Sequence, residues 1–244
     1  MEESQSESSF AIELENINFQ YPNSNKNILN ELSLYVEKGT IHGILGDNGA
    51  GKTTLFNLIF GFLEPTKGVS LIQNSIAFLQ TENYFYPYIT GKEHLFLSID
   101  FASQNKEKQK EIEQKIKDWN ELFELPLQDF AHSYSTGMKR KLSLLSILLL
   151  EKQIIILDEP FNGLDLQTSE IVHLIIQKLK NTGKTVLLSS HILETVFRHA
   201  DKISFLEKGK IIHSYSQNEF ESLKEFIENK FGKTNQEKID TLLR

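Results

Sequence analysis

A chain of 244 residues, 39% hydrophobic and 24% charged, can bury one large core or two small ones, and its ordinary charge content argues against global disorder. A net charge of −7 argues against a nucleic-acid binder that gains its affinity by neutralising phosphates. The absence of cysteine excludes disulfides, thiolate metal sites and cysteine nucleophiles, and fits a cytoplasmic protein.

In chain order, residues 1–9 are acidic and serine-rich, without the basic start and apolar centre of a signal peptide, and read as a short disordered lead. Short, mainly apolar runs follow at Ile41–Leu45, Ile76–Leu79, Ile154–Leu157, Val186–Leu188 and Ile203–Leu206. Such runs are expected of parallel strands covered on both faces. Between them lie helical segments. Lys106–Phe123 places Ile112, Ile116, Trp119 and Phe123 on one face, and Thr168–Asn181 places Ile171, Leu174, Ile175 and Leu179 on one face. Alternating strands and helices predict an α/β fold. From Gln80 to Lys152 no strand is convincing, which predicts a helical insert, with the charged stretch Lys106–Lys117 as a solvated helix face. After Ile212 the chain turns polar and weakly helical. No apolar run approaches the ~18 residues that span a bilayer.

The segment Gly46-Asp47-Asn48-Gly49-Ala50-Gly51-Lys52-Thr53 follows an apolar strand and precedes the helix-forming run Thr54-Leu55-Phe56-Asn57-Leu58-Ile59. That is the context a phosphate-binding loop requires. Its glycines let backbone N–H groups converge, and the following helix adds the positive end of its dipole. Lys52 can reach terminal phosphates and the Thr53 hydroxyl can ligate Mg²⁺. Two other Gly-Lys-Thr triplets, at Gly183 and Gly232, lack the earlier glycine, and the first leads into a strand, so both are decoys.

Ile154-Ile155-Ile156-Leu157-Asp158-Glu159 places two carboxylates at the C-terminal end of a buried strand, where open α/β sheets bind ligands. Asp158 is placed to hold Mg²⁺, and Glu159 to orient or deprotonate a water.

Ser135-Thr136-Gly137-Met138-Lys139, ahead of that strand and opening a helix, resembles the signature motif of ATP-binding cassette ATPases, with Tyr134, Thr136 and Met138 departing from the usual Leu-Ser-Gly-Gly-Gln. Asn162-Gly163-Leu164-Asp165 resembles the D-loop, His191 the switch histidine, and Gln80 the Q-loop glutamine, a catalytic and metal-side residue. Tyr21 stands where the family places an adenine-stacking aromatic, with Phe19 as its rival. The resemblance runs from about Leu14 to Ile212. It implies a P-loop NTPase core with a mostly parallel sheet, an N-terminal antiparallel β part and an inserted helical subdomain. The implied division is a domain over 10–220, with a core lobe at about 10–85 and 150–220 and a helical part at about 86–149, then a helical tail at 221–244. The short span from Gly68 to Gln80 implies a trimmed antiparallel edge.

The resemblance also implies function. ATP and Mg²⁺ would sit on Gly46–Thr54 of one subunit, and Ser135–Met138 of another would close the site. A second copy, or a related subunit, and a separate multi-span permease are the implied partners, with the chain peripheral on the cytoplasmic face of a membrane and no nucleic acid bound. The Ser-Thr-Gly-Met variant and the aromatic stretch Tyr84-Phe85-Tyr86-Pro87-Tyr88, followed by Thr90-Gly91-Lys92-Glu93, resemble the export-type branch. A soluble cassette ATPase acting on a macromolecular complex is the alternative. A GTPase is disfavoured because no Asn-Lys-x-Asp guanine-reading motif is present.

Overall fold

The computed structural model describes residues 8–22, 24–82, 84–99 and 106–232. Most of the lead expected at 1–9 lies outside them, as does the end of the tail, including Lys233 and Thr234 of the second decoy.

Two sheets form the frame. The first is antiparallel and has the order β2-β1-β4, from β1 (Phe10–Phe19), β2 (Leu29–Glu37) and β4 (Lys67–Ile72). The second contains β3 (Ile41–Leu45), β5 (Ile76–Leu79), β6 (Ile154–Asp158), β7 (Thr185–Ser189), β8 (Lys202–Glu207) and β9 (Lys210–Ser216), in the order β5-β6-β7-β3-β8-β9. All neighbours in it pair in parallel except β8 and β9. All residues of β3, β6 and β7 are buried, the mark of strands covered on both faces.

Alternation along those strands splits the core in two. Ile44, Ile154, Ile156 and Leu187 join Leu55 and Phe56 of α1 (Lys52–Phe60) and the inner face of the antiparallel sheet. Ile41, Leu45, Ile155, Leu157, Val186 and Leu188 pack beneath the helices on the other face. Side chains such as Ile44 and Phe56 are fully buried, each contributing roughly 1.5–3 kcal/mol of transfer free energy.

Between β5 and β6 the described chain is helical: α2 (Gly91–Ile99), α3 (Lys106–Phe123) and α4 (Thr136–Leu149). In α3, Ile116 and Phe123 are buried, and Ile112 and Trp119 pack against the core. The helix α5 (Leu166–Asn181) turns differently from the sequence expectation. Its buried residues are Thr168, Val172, Ile175 and Ile176, whereas Leu174 is 67% exposed. The apolar arc of α5 is wide, and the sheet takes the part centred on its β-branched residues.

The polar reading after Ile212 also needs correction. The antiparallel strand β9 continues to Ser216. Like α6 (Leu193–His199) before it, α7 (Phe220–Ile227) packs on the core, with Phe220 stacked on Phe197 and Phe226 edge-on to Phe205. An edge strand needs little apolar alternation, so its signal is weak.

The parallel register sets the site. Ile44 lies opposite Ser189, and Ser189 opposite Asp158. The ends of β3, β6 and β7 therefore open on one edge of the sheet, where ligands of such folds bind.

Candidate active site

The loop after β3 turns directly into α1. Gly51 is the N-cap of that helix and takes a φ of 110°, a backbone conformation that a side chain would strain. The Lys52 ammonium donates to the carbonyls of Gly46 at 2.6 Å and Asp47 at 3.2 Å, which folds it over the loop. The free N–H groups at the start of α1 and the helix dipole favour an anion here.

Asp158 is 1% exposed at the end of β6 and accepts three hydroxyl hydrogen bonds. Thr53 Oγ1 donates at 3.0 Å, Thr81 Oγ1 at 2.7 Å and Ser189 Oγ at 2.5 Å. Next to it Glu159 has a φ of 50°, in the left-handed region that is costly for a residue with a side chain. Its N–H is received by Ser189 Oγ at 3.1 Å. Its carboxylate lies 2.8 Å from Nδ1 of His191, which stands just past β7.

Lys52, Thr53, Thr81, Asp158, Glu159 and His191 line one cleft of about 560 Å³, which is also lined by Tyr21, Asp47, Asn48, Gly49, Thr54 and Asn162. The two rival aromatics differ in burial. Phe19 is 5% exposed and belongs to the core, whereas Tyr21 is 40% exposed, packs edge-on to Phe19 and has its hydroxyl 3.3 Å from Thr54 Oγ1.

Other candidates lie elsewhere. Gln80 is not part of the cleft lining; its neighbour Thr81 is. Ser135 caps α4, accepting from the N–H of Met138 at 3.2 Å, and with Thr136 it is exposed and does not line the cleft. Gly137 meets the D-loop: a Cβ there would sit 2.8 Å from the carbonyl of Gly163. Leu164 packs against the core. Asp165 caps α5, and its bonds from the Thr168 N–H and hydroxyl hold its carboxyl below the usual range. Thr90 and Glu93 cap α2 reciprocally, with the Thr90 N–H donating to Glu93 at 2.7 Å and the Glu93 N–H to Thr90 Oγ1 at 3.2 Å.

Three residues escape the sequence reading. Thr81 and Ser189 lie beside Gln80 and close to His191, and that proximity is their only signal. Arg140 gives none beyond a cation inside an otherwise apolar helix face.

Fold and site define a P-loop nucleotide-binding protein. More narrowly, the chain belongs to the ABC transporter family, whose model matches residues 29–162, and it is an ABC transporter ATP-binding subunit. The ABC transporter ATP-binding protein NatA of Bacillus subtilis is 34% identical over 200 residues, covering 75% of this chain and 79% of NatA. A solved ATP-binding subunit of an ABC transporter is 27% identical, with a TM-score of 0.77 over 91% of this chain and 93% of that one. A dimeric ATP-binding cassette in a post-hydrolysis state, bound to ADP and Pi, has the same fold at 21% identity, with a TM-score of 0.75 over 84% of this chain and 98% of that one.

Proposed function

We propose that the cleft binds Mg–ATP and hydrolyses it to ADP and phosphate, within a head-to-tail dimer that powers a separate membrane permease. The observation that carries this reading is the convergence of Lys52, Thr53, Asp158, Glu159 and His191 on one cleft.

The loop amides, the α1 dipole and Lys52 would hold the phosphates. The Tyr21 ring would stack on the adenine. Glu159 would take a proton from the attacking water, and His191, hydrogen-bonded to it, would fix the carboxylate's orientation. The donor set around Asp158 fits Mg²⁺: one carboxylate and the Thr53 hydroxyl, with substrate phosphates completing the shell. Gln80, which does not line the cleft, would join that shell only if its segment moved. When bound, the ion would neutralise developing charge on the phosphoryl oxygens.

Ser135 and Gly137, at the start of α4, do not line the cleft and would serve a nucleotide held by another molecule. The dimeric state of the cassette solved with ADP and Pi supports this pairing. Each γ-phosphate would then bridge two subunits, and its loss would reopen them.

Among the described residues no helix is long and apolar enough to cross a membrane; the separate permease rests on the likeness to a solved ATP-binding subunit. Tyr84, Tyr86 and Tyr88 are exposed, while Phe85 packs against the core, and the three tyrosines offer a docking surface to it. Export is the direction we favour, on the resemblance of Ser135–Met138. Thr90 and Glu93 already have a folding role as a helix cap and add less.

The experiment is purification of the natively expressed chain from a membrane fraction. Nucleotide-sensitive co-purification with a multi-span protein that stimulates Mg²⁺-dependent ATPase is expected. A soluble species with full ATPase activity and no membrane partner would replace the permease with a macromolecular complex.

A further inference from the structure

Arg140 lies in the second turn of α4 and is 5% exposed. Its guanidinium meets four backbone carbonyls. Nη1 donates to Gln80 O at 2.5 Å, Nη2 to Asp158 O at 2.5 Å and to Glu159 O at 2.7 Å, and Nε to Pro160 O at 3.4 Å. Among the described residues no carboxylate pairs with it directly. Burial lowers its pKa to about 10, against the opposing pull of the Asp158 and Glu159 charges, so it remains a cation at neutral pH. A buried cation held by carbonyls alone is a costly arrangement.

What it fixes is specific. Three of the four carbonyls belong to consecutive residues around Glu159, the residue in the left-handed conformation, and the fourth is that of Gln80, just past the neighbouring strand β5. Earlier on the same chain, Ser135 caps the helix that carries Arg140. One rigid helix thus has its exposed N-terminus on one surface and its arginine clamped on the backbone of the carboxylate segment.

We propose that Arg140 is the positioning residue that couples the two halves of the ATP site, resting on the composite-site reading above. Engagement of the Ser135 end of α4 by the partner subunit's nucleotide displaces the helix slightly. The planar fork of Arg140 passes that displacement to Glu159 and to Gln80. A subunit whose signature surface is engaged therefore has its own carboxylate set for hydrolysis. Lysine cannot replace this fork, since its ammonium is a point charge with no planar set of five donors.

The test is steady-state ATPase of wild type, Arg140→Lys and Arg140→Gln against ATP and protein concentration, with ATP affinity and melting temperature measured on each. We expect both variants to bind ATP within about threefold of wild type, to lose about tenfold to hundredfold in kcat, and to show a Hill coefficient near 1 where wild type is cooperative. The Lys variant is expected to rescue folding and not cooperativity. If either folded variant keeps wild-type kcat and cooperativity, Arg140 does not couple the halves. A loss of kcat with cooperativity intact also overturns the coupling role and leaves a local one. A wild-type rate per subunit that is independent of protein concentration removes the composite site itself, and the proposal with it.

Discussion

His191 Nδ1 lies 2.8 Å from a carboxylate oxygen of Glu159, joining the end of β7 to the end of β6 across the mouth of the cleft. The imidazole is 56% exposed at its side chain and the carboxylate only 13%. The carboxylate is therefore sheltered on the protein side and oriented from the solvent side. Glu159→Gln keeps the shape and one hydrogen-bond acceptor and removes the base. It is expected to lower hydrolysis by about 10²–10⁴ with ATP binding retained, and to accumulate a closed dimer. Gel filtration with ATP and a phosphate-release assay check both parts. A wild-type rate in the variant would remove Glu159 from the base role.

Lys52 and Tyr21 should separate phosphate binding from base binding. Lys52 already donates to two loop carbonyls, so its ammonium is positioned over the loop. Lys52→Ala is expected to weaken ATP and ADP binding about tenfold to hundredfold, as loss of a charge-assisted hydrogen bond does. Tyr21→Ala removes the proposed stacking, worth ~1–3 kcal/mol, along with the ring's contacts with Phe19 and the Thr54 hydroxyl, and should weaken ATP and GTP alike. Calorimetric titration with both nucleotides checks this. A Tyr21 variant that loses ATP affinity and keeps GTP affinity would mean that the ring reads the base rather than stacking on it.

Gly137 and Gly163 carry a second geometric test. The start of α4 and the D-loop approach so closely that a Cβ on residue 137 would sit 2.8 Å from the Gly163 carbonyl. Both partners are backbone, so one segment must move. Gly137→Ala is expected to leave ATP affinity on the loop unchanged and to lower kcat by about tenfold to hundredfold. Equilibrium binding and turnover measured on the same preparation check it; a fall in affinity with turnover intact would place the glycine's role elsewhere.

Much of this site is legible in the sequence because its parts are local. The loop at Gly46–Thr53 is a contiguous string whose strand and helix flank it, and Ile154–Glu159 is a buried strand with its carboxylates at one end. The five parallel strands are legible for the same reason, since burial on both faces leaves a mainly apolar run, interrupted only by His42 in β3 and Ser204 in β8, which hydrogen-bond each other. Arg140, Thr81 and Ser189 are not legible, because what defines them is a partner 18 or more positions away in the chain, which no local pattern records. The strand β9 is missed because an antiparallel edge needs few apolar residues. Leu174 is misplaced because a wide apolar arc on α5 does not say which part of it the sheet covers.

The buried His42 and His199, with half-buried His173, set a pH dependence of stability. His173 Nδ1 and His199 Nε2 are 2.5 Å apart with their rings stacked, so one nitrogen donates and the other accepts, and protonating both would set two N–H groups against each other. Burial is the main cause that lowers both, His199 to about 4, with the charge of Arg198 opposing protonation and that of Glu170 favouring it. Gln177 lies 3.2 Å from the other His199 nitrogen. His42, buried on β3 beside Ser204 and near the Lys202 charge, is lowered to about 3. In each case the unfolded chain binds the proton more readily. This contribution to stability is complete above about pH 6.5, the ordinary histidine pKa, and is lost as pH falls toward 4. The window lies above that of the capping carboxylates Asp165, Glu93 and Glu219 (the last accepting from the Ser216 N–H and hydroxyl), whose lowered values remove stability only at lower pH. Denaturant unfolding from pH 7.5 to 4.5 should therefore show stability falling with acid, by up to about 1.4 kcal/mol per pH unit for each proton taken up. His199→Gln should flatten that slope between about pH 6.5 and 4 by up to one proton, whatever it costs at pH 7.5. An unchanged slope in the variant would show that the pair does not titrate with unfolding.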